Sequence, residues 1–183
     1  VNRPIFVAVW PVSTVYSLNV PLPSAVGALA GRLARDLPQA QARSRGEHTL
    51  VAKRLGSGDN VAFARLEARA RTTMEGTDPF EVRVTGVGQF ERAATGPSPV
   101  VYLAVESPEL LALHRRLCGE FDAVDGIEGG VYVPHVTIAR GGDPAAAERL
   151  TERSIAPIEW PVEELVCYDS ERGTTASRLQ LPA

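Results

Sequence analysis

The sequence predicts an α+β fold in which mostly antiparallel sheet carries helices on its outer side. Three observations predict it. Short β-prone runs alternate with amphipathic stretches in the order strand, helix, strand, helix, strand, strand, helix, strand, helix, strands. Two of the three histidines open β-prone runs with a threonine close by. Each of those runs follows a strand–helix unit and precedes another helix, a weak duplication of architecture with no clear residue-level repeat elsewhere.

The elements follow in order. Ile5 to Trp10 is a continuous apolar run stopped by Pro11 and reads as a buried strand. Pro23-Ser24 opens a helix through Leu37, with Val26, Leu29, Ala30 and Leu33 at helical spacing and Pro38 as the stop. His48 to Leu55 reads as a strand. Asp59 or Asn60 can cap an amphipathic helix over Val61 to Met74. Phe80 to Val84 and Val100 to Val105 alternate as strands. Ser107-Pro108 starts a helix that passes Leu110, Leu113, Leu117 and Phe121. The glycines from 126 to 130 break the chain before the second histidine strand, Val131 to Arg140. A short Ala-rich helix follows Asp143-Pro144, and three strands, at Ile158 to Val162, Leu165 to Tyr168 and Ser177 to Leu181, close the chain.

Composition narrows the function classes. Net charge is −3, so the chain is not a general coat for nucleic acid, which needs a strongly basic surface. A small anion held by a local positive pocket is compatible with that charge. Arginine outnumbers lysine eighteen to one. Cys118 and Cys167 form no CxxC pair, so no metal cluster is indicated and reduced thiols are expected. No apolar run approaches the roughly 20 residues of a membrane span, and the start has no signal-peptide pattern. The expectation is a cytoplasmic protein without membrane association, obligate protein partner, cofactor or metal.

The chemistry-bearing segments are Pro134-His135-Val136-Thr137-Ile138-Ala139-Arg140 and Glu47-His48-Thr49-Leu50-Val51-Ala52-Lys53-Arg54-Leu55-Gly56. On a strand, side chains alternate faces, so His135 and Thr137 share one face while Val136 and Ile138 enter a core. These two tetrapeptide-like segments, together with the strand–helix units around them, resemble the 2H phosphoesterase superfamily, and within it the 2′-5′ RNA ligase-like branch. The resemblance covers nearly the whole chain. It implies a single bilobal domain over residues 1–183, with two similar lobes of mostly antiparallel sheet and outer helices around a central cleft. It also implies metal-independent hydrolysis of a 2′,3′-cyclic phosphate on RNA ends or small nucleotides, reversible as 2′-5′ joining, with His48 and His135 as the catalytic pair. Thr137, Thr49 and Arg140 would hold the phosphate. Imidazole titrates near neutrality, so a neutral and a protonated ring can share the work of base and acid.

The first segment departs from the family's His-x-Thr pattern, because Thr49 follows His48 directly and Leu50 takes the third place. Either a β-bulge brings His48 and Thr49 into the site together, or Thr49, Val51 and Lys53 face the site while His48 turns inward with Leu50. Arg45, Lys53 and Arg54 are further candidate phosphate contacts; Tyr16, Tyr102, Tyr132, Phe90 and Trp10 are candidate base-stacking residues. His114, among helix charges, is expected at the surface or boundary and without a role. Two other functions stand beside the leading one: an inactive RNA- or nucleotide-binding module that keeps the cleft, and hydrolysis of a non-RNA phosphodiester.

Overall fold

In a computed structural model of the chain, residues 16–182 are described. The elements are β1 Tyr16–Val20, α1 Ser24–Leu33, β2 Gln41–Ala42, β3 Leu50–Gly56, α2 Asn60–Met74, β4 Phe80–Phe90, β5 Val100–Glu106, α3 Pro108–Cys118, β6 His135–Arg140, α4 Pro144–Thr151, β7 Ile158–Val162, β8 Glu164–Asp169 and β9 Thr174–Gln180. They form an α+β fold of two sheets, ordered β3-β1-β8-β9 and β2-β6-β5-β4-β7, and every strand pairing among them is antiparallel.

The duplication expected from the sequence is legible in these orders. Setting β2 aside, β3, β1, β8 and β9 of one sheet correspond to β6, β5, β4 and β7 of the other. The helices follow the same correspondence. After β1 the chain forms α1, which packs on β6; after β5 it forms α3, which packs on β3. Each sheet's first helix thus covers the other sheet's histidine-segment strand.

Helix limits match the sequence signals. Asp59 accepts a hydrogen bond from the Ala62 amide (2.9 Å), Ser107 from Leu110 (3.3 Å) and Asp143 from Ala145 (3.0 Å), each satisfying an otherwise orphaned first-turn amide. The core lies where the helices meet the sheets: Val26, Leu29 and Leu33 of α1 with Val136 and Ile138 of β6, and Leu110, Leu113 and Leu117 of α3 with Leu50 and Ala52 of β3.

Two strands differ from expectation. The Ile5 to Trp10 run, and Trp10 with it, lies outside the described residues. The described chain opens instead with Tyr16–Val20, a central strand buried along its whole length. Its polar Ser17 and Asn19 are satisfied against each other, Ser17 Oγ donating to Asn19 Oδ1 at 2.9 Å, which lets two hydrophilic residues sit inside a sheet. β4 also runs further than its alternating apolar start, continuing through Gly86-Val87-Gly88 to Phe90. Gly88 is opposite Tyr102, and a β-carbon there would lie 2.6 Å from that ring. The missing side chain is the space that Tyr102 occupies.

Candidate functional site

Regular alternation places His135 and Thr137 on one face of β6, as the sequence requires. They open onto a cavity of about 220 Å³ between β6 and β3, together with Arg140, Thr49, Val51 and Arg54. Arg43 and Arg92 join them, and among the described residues no acidic side chain lines this cavity.

His135 is held on three sides. Its Nδ1 donates to the Val133 carbonyl at 2.7 Å, which fixes the tautomer and leaves Nε2 as the lone-pair nitrogen. Phe90 meets the ring edge-on at 5.1 Å and Tyr102 lies 5.2 Å away. Burial pushes the imidazole pKa below the usual histidine value; Arg54 and Arg140 push the same way, against the bond to Val133. The ring is therefore a neutral acceptor at neutral pH. Burial and the cations Arg43 and Arg54 also draw down Arg140, a mark of how much positive charge converges on the cavity.

The opposite wall comes from the other sheet, and its register can be aligned with β6 without any sequence comparison. Between β5 and β6, Val101 faces Ala139 and Tyr102 faces Thr137, so Ile138 is an extra, bulged residue. Between β1 and β3, Asn19 faces Val51 and Leu18 faces Lys53, so Ala52 is the bulged residue. Superposing the two bulges sets Thr49, Val51 and Arg54 against His135, Thr137 and Arg140. Burial along 49–54 and along 135–140 is the same: half-buried, buried, half-buried, buried, buried, half-buried. The first lobe thus presents Thr49 and Val51 where the second presents His135 and Thr137, and both end in an arginine.

The two histidines of the expected pair line different cavities. A bulge exists, but at Ala52, too late to turn His48. His48 lies ahead of β3, which begins at Leu50, and it is absent from the lining of the cavity that Thr49 and His135 share. It lines a second, adjoining cavity of about 730 Å³ beneath α1, where a β-carbon on Gly27 would lie 3.8 Å from its Nδ1. Thr49 and Arg43 line both cavities. Arg45 lines the second only. Of the five residues expected in the site, His135, Thr137, Thr49 and Arg140 are brought together and His48 is not.

Lys53 is also relocated. It is fully buried, and its Nζ donates to Glu128 Oε2 at 2.6 Å, to the Arg54 carbonyl at 2.7 Å and to the Asp122 carbonyl at 2.9 Å. Glu128 in turn accepts from the Arg54 amide (2.9 Å) and guanidinium (3.3 Å) and from the Val124 amide (3.0 Å). Burial alone would raise the Glu128 carboxyl, but the bond from Lys53 and those from the Arg54 and Val124 amides outweigh it and hold it ionised. The only lysine is therefore a structural cation that steadies Arg54. His114 is buried at 1% exposure, deeper than the surface or boundary place expected, because it shares the inner face of α3 with Leu110, Leu113 and Leu117. Its Nδ1 donates to the Ala52 carbonyl (2.7 Å), and its Nε2 accepts from the Gly129 amide (3.0 Å). Tyr132 stacks on it at 3.7 Å and donates to the Val51 carbonyl at 2.7 Å. These bonds satisfy the carbonyls left by the bulge.

Arg54 was recognisable from the parallel between Thr49-Leu50-Val51-Ala52-Lys53-Arg54 and His135-Val136-Thr137-Ile138-Ala139-Arg140, each ending on arginine after five steps. Arg43 and Arg92 lie outside both segments and had no local signal.

A duplicated α+β frame thus encloses a cleft that, among the described residues, is lined by arginines and no carboxylate, a setting suited to an anion. The chain belongs to the 2′-5′ RNA ligase superfamily, whose profile matches residues 51–174. A relative described as an RNA 2′,3′-cyclic phosphodiesterase, from Methanothermobacter thermautotrophicus, is 37% identical over 93 residues, covering 48% of this chain and 47% of that protein. The chain thus matches about half the length of that relative. Among solved structures, Escherichia coli LigT complexed with NADP+ superposes with a TM-score of 0.66 at 19% identity, over 92% of this chain and 97% of that one. The Thermus thermophilus protein TT0787 superposes with a TM-score of 0.62 at 21% identity, over 91% and 97%. These structural likenesses establish the shared fold. Among the described residues, no helix is long and apolar enough to cross a membrane.

Proposed function

We propose that the protein is a phosphoesterase that opens the 2′,3′-cyclic phosphate of RNA ends or nucleotides, with His135 as its one catalytic imidazole. The observation that carries this reading is the fixed Nε2 lone pair of His135 beside Thr137, Arg140 and Arg54 in a cavity that no carboxylate lines among the described residues. Membership of the superfamily and the name of the archaeal relative point the same way.

In this reading, Nε2 takes a proton from water, the water oxygen bonds to phosphorus, and the opposite phosphorus–oxygen bond breaks. Thr137, Arg140 and Arg54 hold the non-bridging oxygens and gain strength as charge grows on them. The departing ribose oxygen leaves toward the first-lobe wall. There the Thr49 hydroxyl and Arg54 stabilise it in place of a second imidazole, and solvent supplies the proton. Joining of ends is the same path with a ribose hydroxyl replacing water.

The test is turnover of a 2′,3′-cyclic mononucleotide. His135→Ala lowers kcat by about 10²–10⁴-fold, the usual contribution of a positioned base, whereas His48→Ala lowers it by less than about tenfold. Equal losses in both variants would return His48 to the mechanism. A binding module without turnover is the second reading, and the lack of a second imidazole among the described residues of the cavity favours it. Tight binding of the cyclic nucleotide with no hydrolysis by the unmodified protein would establish it.

A further inference from the structure

The larger cavity, beneath α1, has no part in the chemistry above, yet it is built for anions. The face of α1 turned to the cavity is stripped of bulk: Ser24, Gly27, Ala28 and Gly31 recur at helical spacing, Arg32 follows in the same helix and Arg35 in the 3-10 turn after it. Arg43 and Arg45 stand on the opposite rim, and among the described residues no acidic side chain lines the space. Among the described residues, Arg32, Arg35, Arg43 and Arg45 form no ion pair, whereas Arg178, at the far edge, is taken by Glu164. Four guanidiniums around one hollow, without a carboxylate partner among the described residues, repel one another unless an anion sits among them. His48 adds a second, independent sign: both of its ring nitrogens are shielded from solvent and lack a hydrogen-bond partner among the described residues. An unsatisfied buried polar group is costly, so such a group marks a place where a ligand's hydroxyl or phosphate oxygen completes the site.

The two cavities meet at Arg43 and Thr49. A 2′,3′-cyclic phosphate is the end of its strand, so every other nucleotide lies on its 5′ side and the strand leaves the reaction cavity in one direction. We infer that the groove under α1, floored by His48 and rimmed by Arg32, Arg35, Arg43 and Arg45, binds the phosphates that precede the cyclic end, making a polynucleotide the preferred substrate over a mononucleotide. This rests on the phosphoesterase reading of the neighbouring cavity.

The experiment compares oligoribonucleotides ending in a 2′,3′-cyclic phosphate, from one to roughly eight nucleotides, a span typical of single-strand sites. Dissociation constants and kcat/KM are measured for the unmodified protein and for Arg32→Gln/Arg35→Gln, whose altered residues are outside the core. The expected result is a tenfold or greater rise in affinity and kcat/KM with length, which the double variant reduces to a few-fold. Its salt dependence of long-oligomer binding should flatten by about 1.4 in log–log slope, about 0.7 for each phosphate no longer neutralised by an arginine. Turnover that ignores length, or a variant that keeps the full length dependence, would overturn the groove and leave the phosphoesterase reading standing. Length-dependent binding with no turnover of any substrate would keep the groove and remove the phosphoesterase reading.

Discussion

Thr49 occupies in the first lobe the position that His135 occupies in the second. Each lies two residues ahead of a cleft-lining side chain, three ahead of a bulged residue and five ahead of an arginine. The cleft is thus symmetric in backbone and asymmetric in chemistry, and this asymmetry can be reversed by substitution. Thr49→His with Val51→Thr restores the missing pair on a backbone already shaped for it. The expected outcome is a rise in kcat of tenfold or more on a 2′,3′-cyclic mononucleotide, within the range that general acid catalysis supplies. Single-turnover rates of the double variant and the unmodified protein decide the matter; an unchanged rate at intact fold would mean that Thr49 does not occupy the acid's place.

The same asymmetry shapes the pH profile. If His135 is the base, as proposed, it must be neutral, and its pKa is depressed by burial and then by Arg54 and Arg140. kcat/KM should therefore rise with pH along one limb whose midpoint lies below the ordinary histidine value of 6.5 and then stay level. A protonated partner imidazole would add a falling limb at higher pH, giving a bell. In the Thr49→His/Val51→Thr variant that falling limb should appear. A bell in the unmodified protein would show a second titrating group at work.

The buried pair Lys53–Glu128 makes a stability prediction. Removing one partner of such a pair leaves an uncompensated interior charge, and Lys53→Met should cost about 3–5 kcal/mol. Lys53→Met with Glu128→Leu should cost less than the sum of the two single changes. Urea unfolding midpoints of the three variants test this, with additive losses counting against coupling.

Acid should act on the same region. The folded-state pKa of His114 is depressed by burial, so below its unfolded value of 6.5 the unfolded chain binds a proton that the folded chain does not. Stability is then full above that value and declines as pH falls beneath it. The depressed carboxyl of Glu128 adds a second loss below its unfolded value of 4.5. A urea midpoint that stays flat on crossing both values would contradict this.

The helices and most strands were legible because caps, prolines and periodicity act locally, as at Asp59, Ser107-Pro108 and Asp143-Pro144. The second motif was legible because β6 alternates regularly from His135 to Thr137. The first was not, because the adjacency of His48 and Thr49 left two faces open and the deciding fact, the bulge at Ala52, is set by pairing with β1. Lys53 read as a phosphate contact because its partner Glu128 is remote in sequence. The burial of His114 could not be seen in a helix whose other neighbours are Arg115 and Arg116.

The two-residue strand β2 comes from the connection between α1 and β3, yet it pairs with β6, and the Arg43 amide then donates to the Ile138 carbonyl at 2.9 Å. At the other end of the chain, β8 returns to pair with β1. Neither half owns its sheet outright: the front half lends an edge to the rear, and the rear supplies two of the four ribbons in the front. The ancestral unit implied by the repetition has no separable descendant here, and severing the polypeptide midway would leave two incomplete pieces rather than two small proteins.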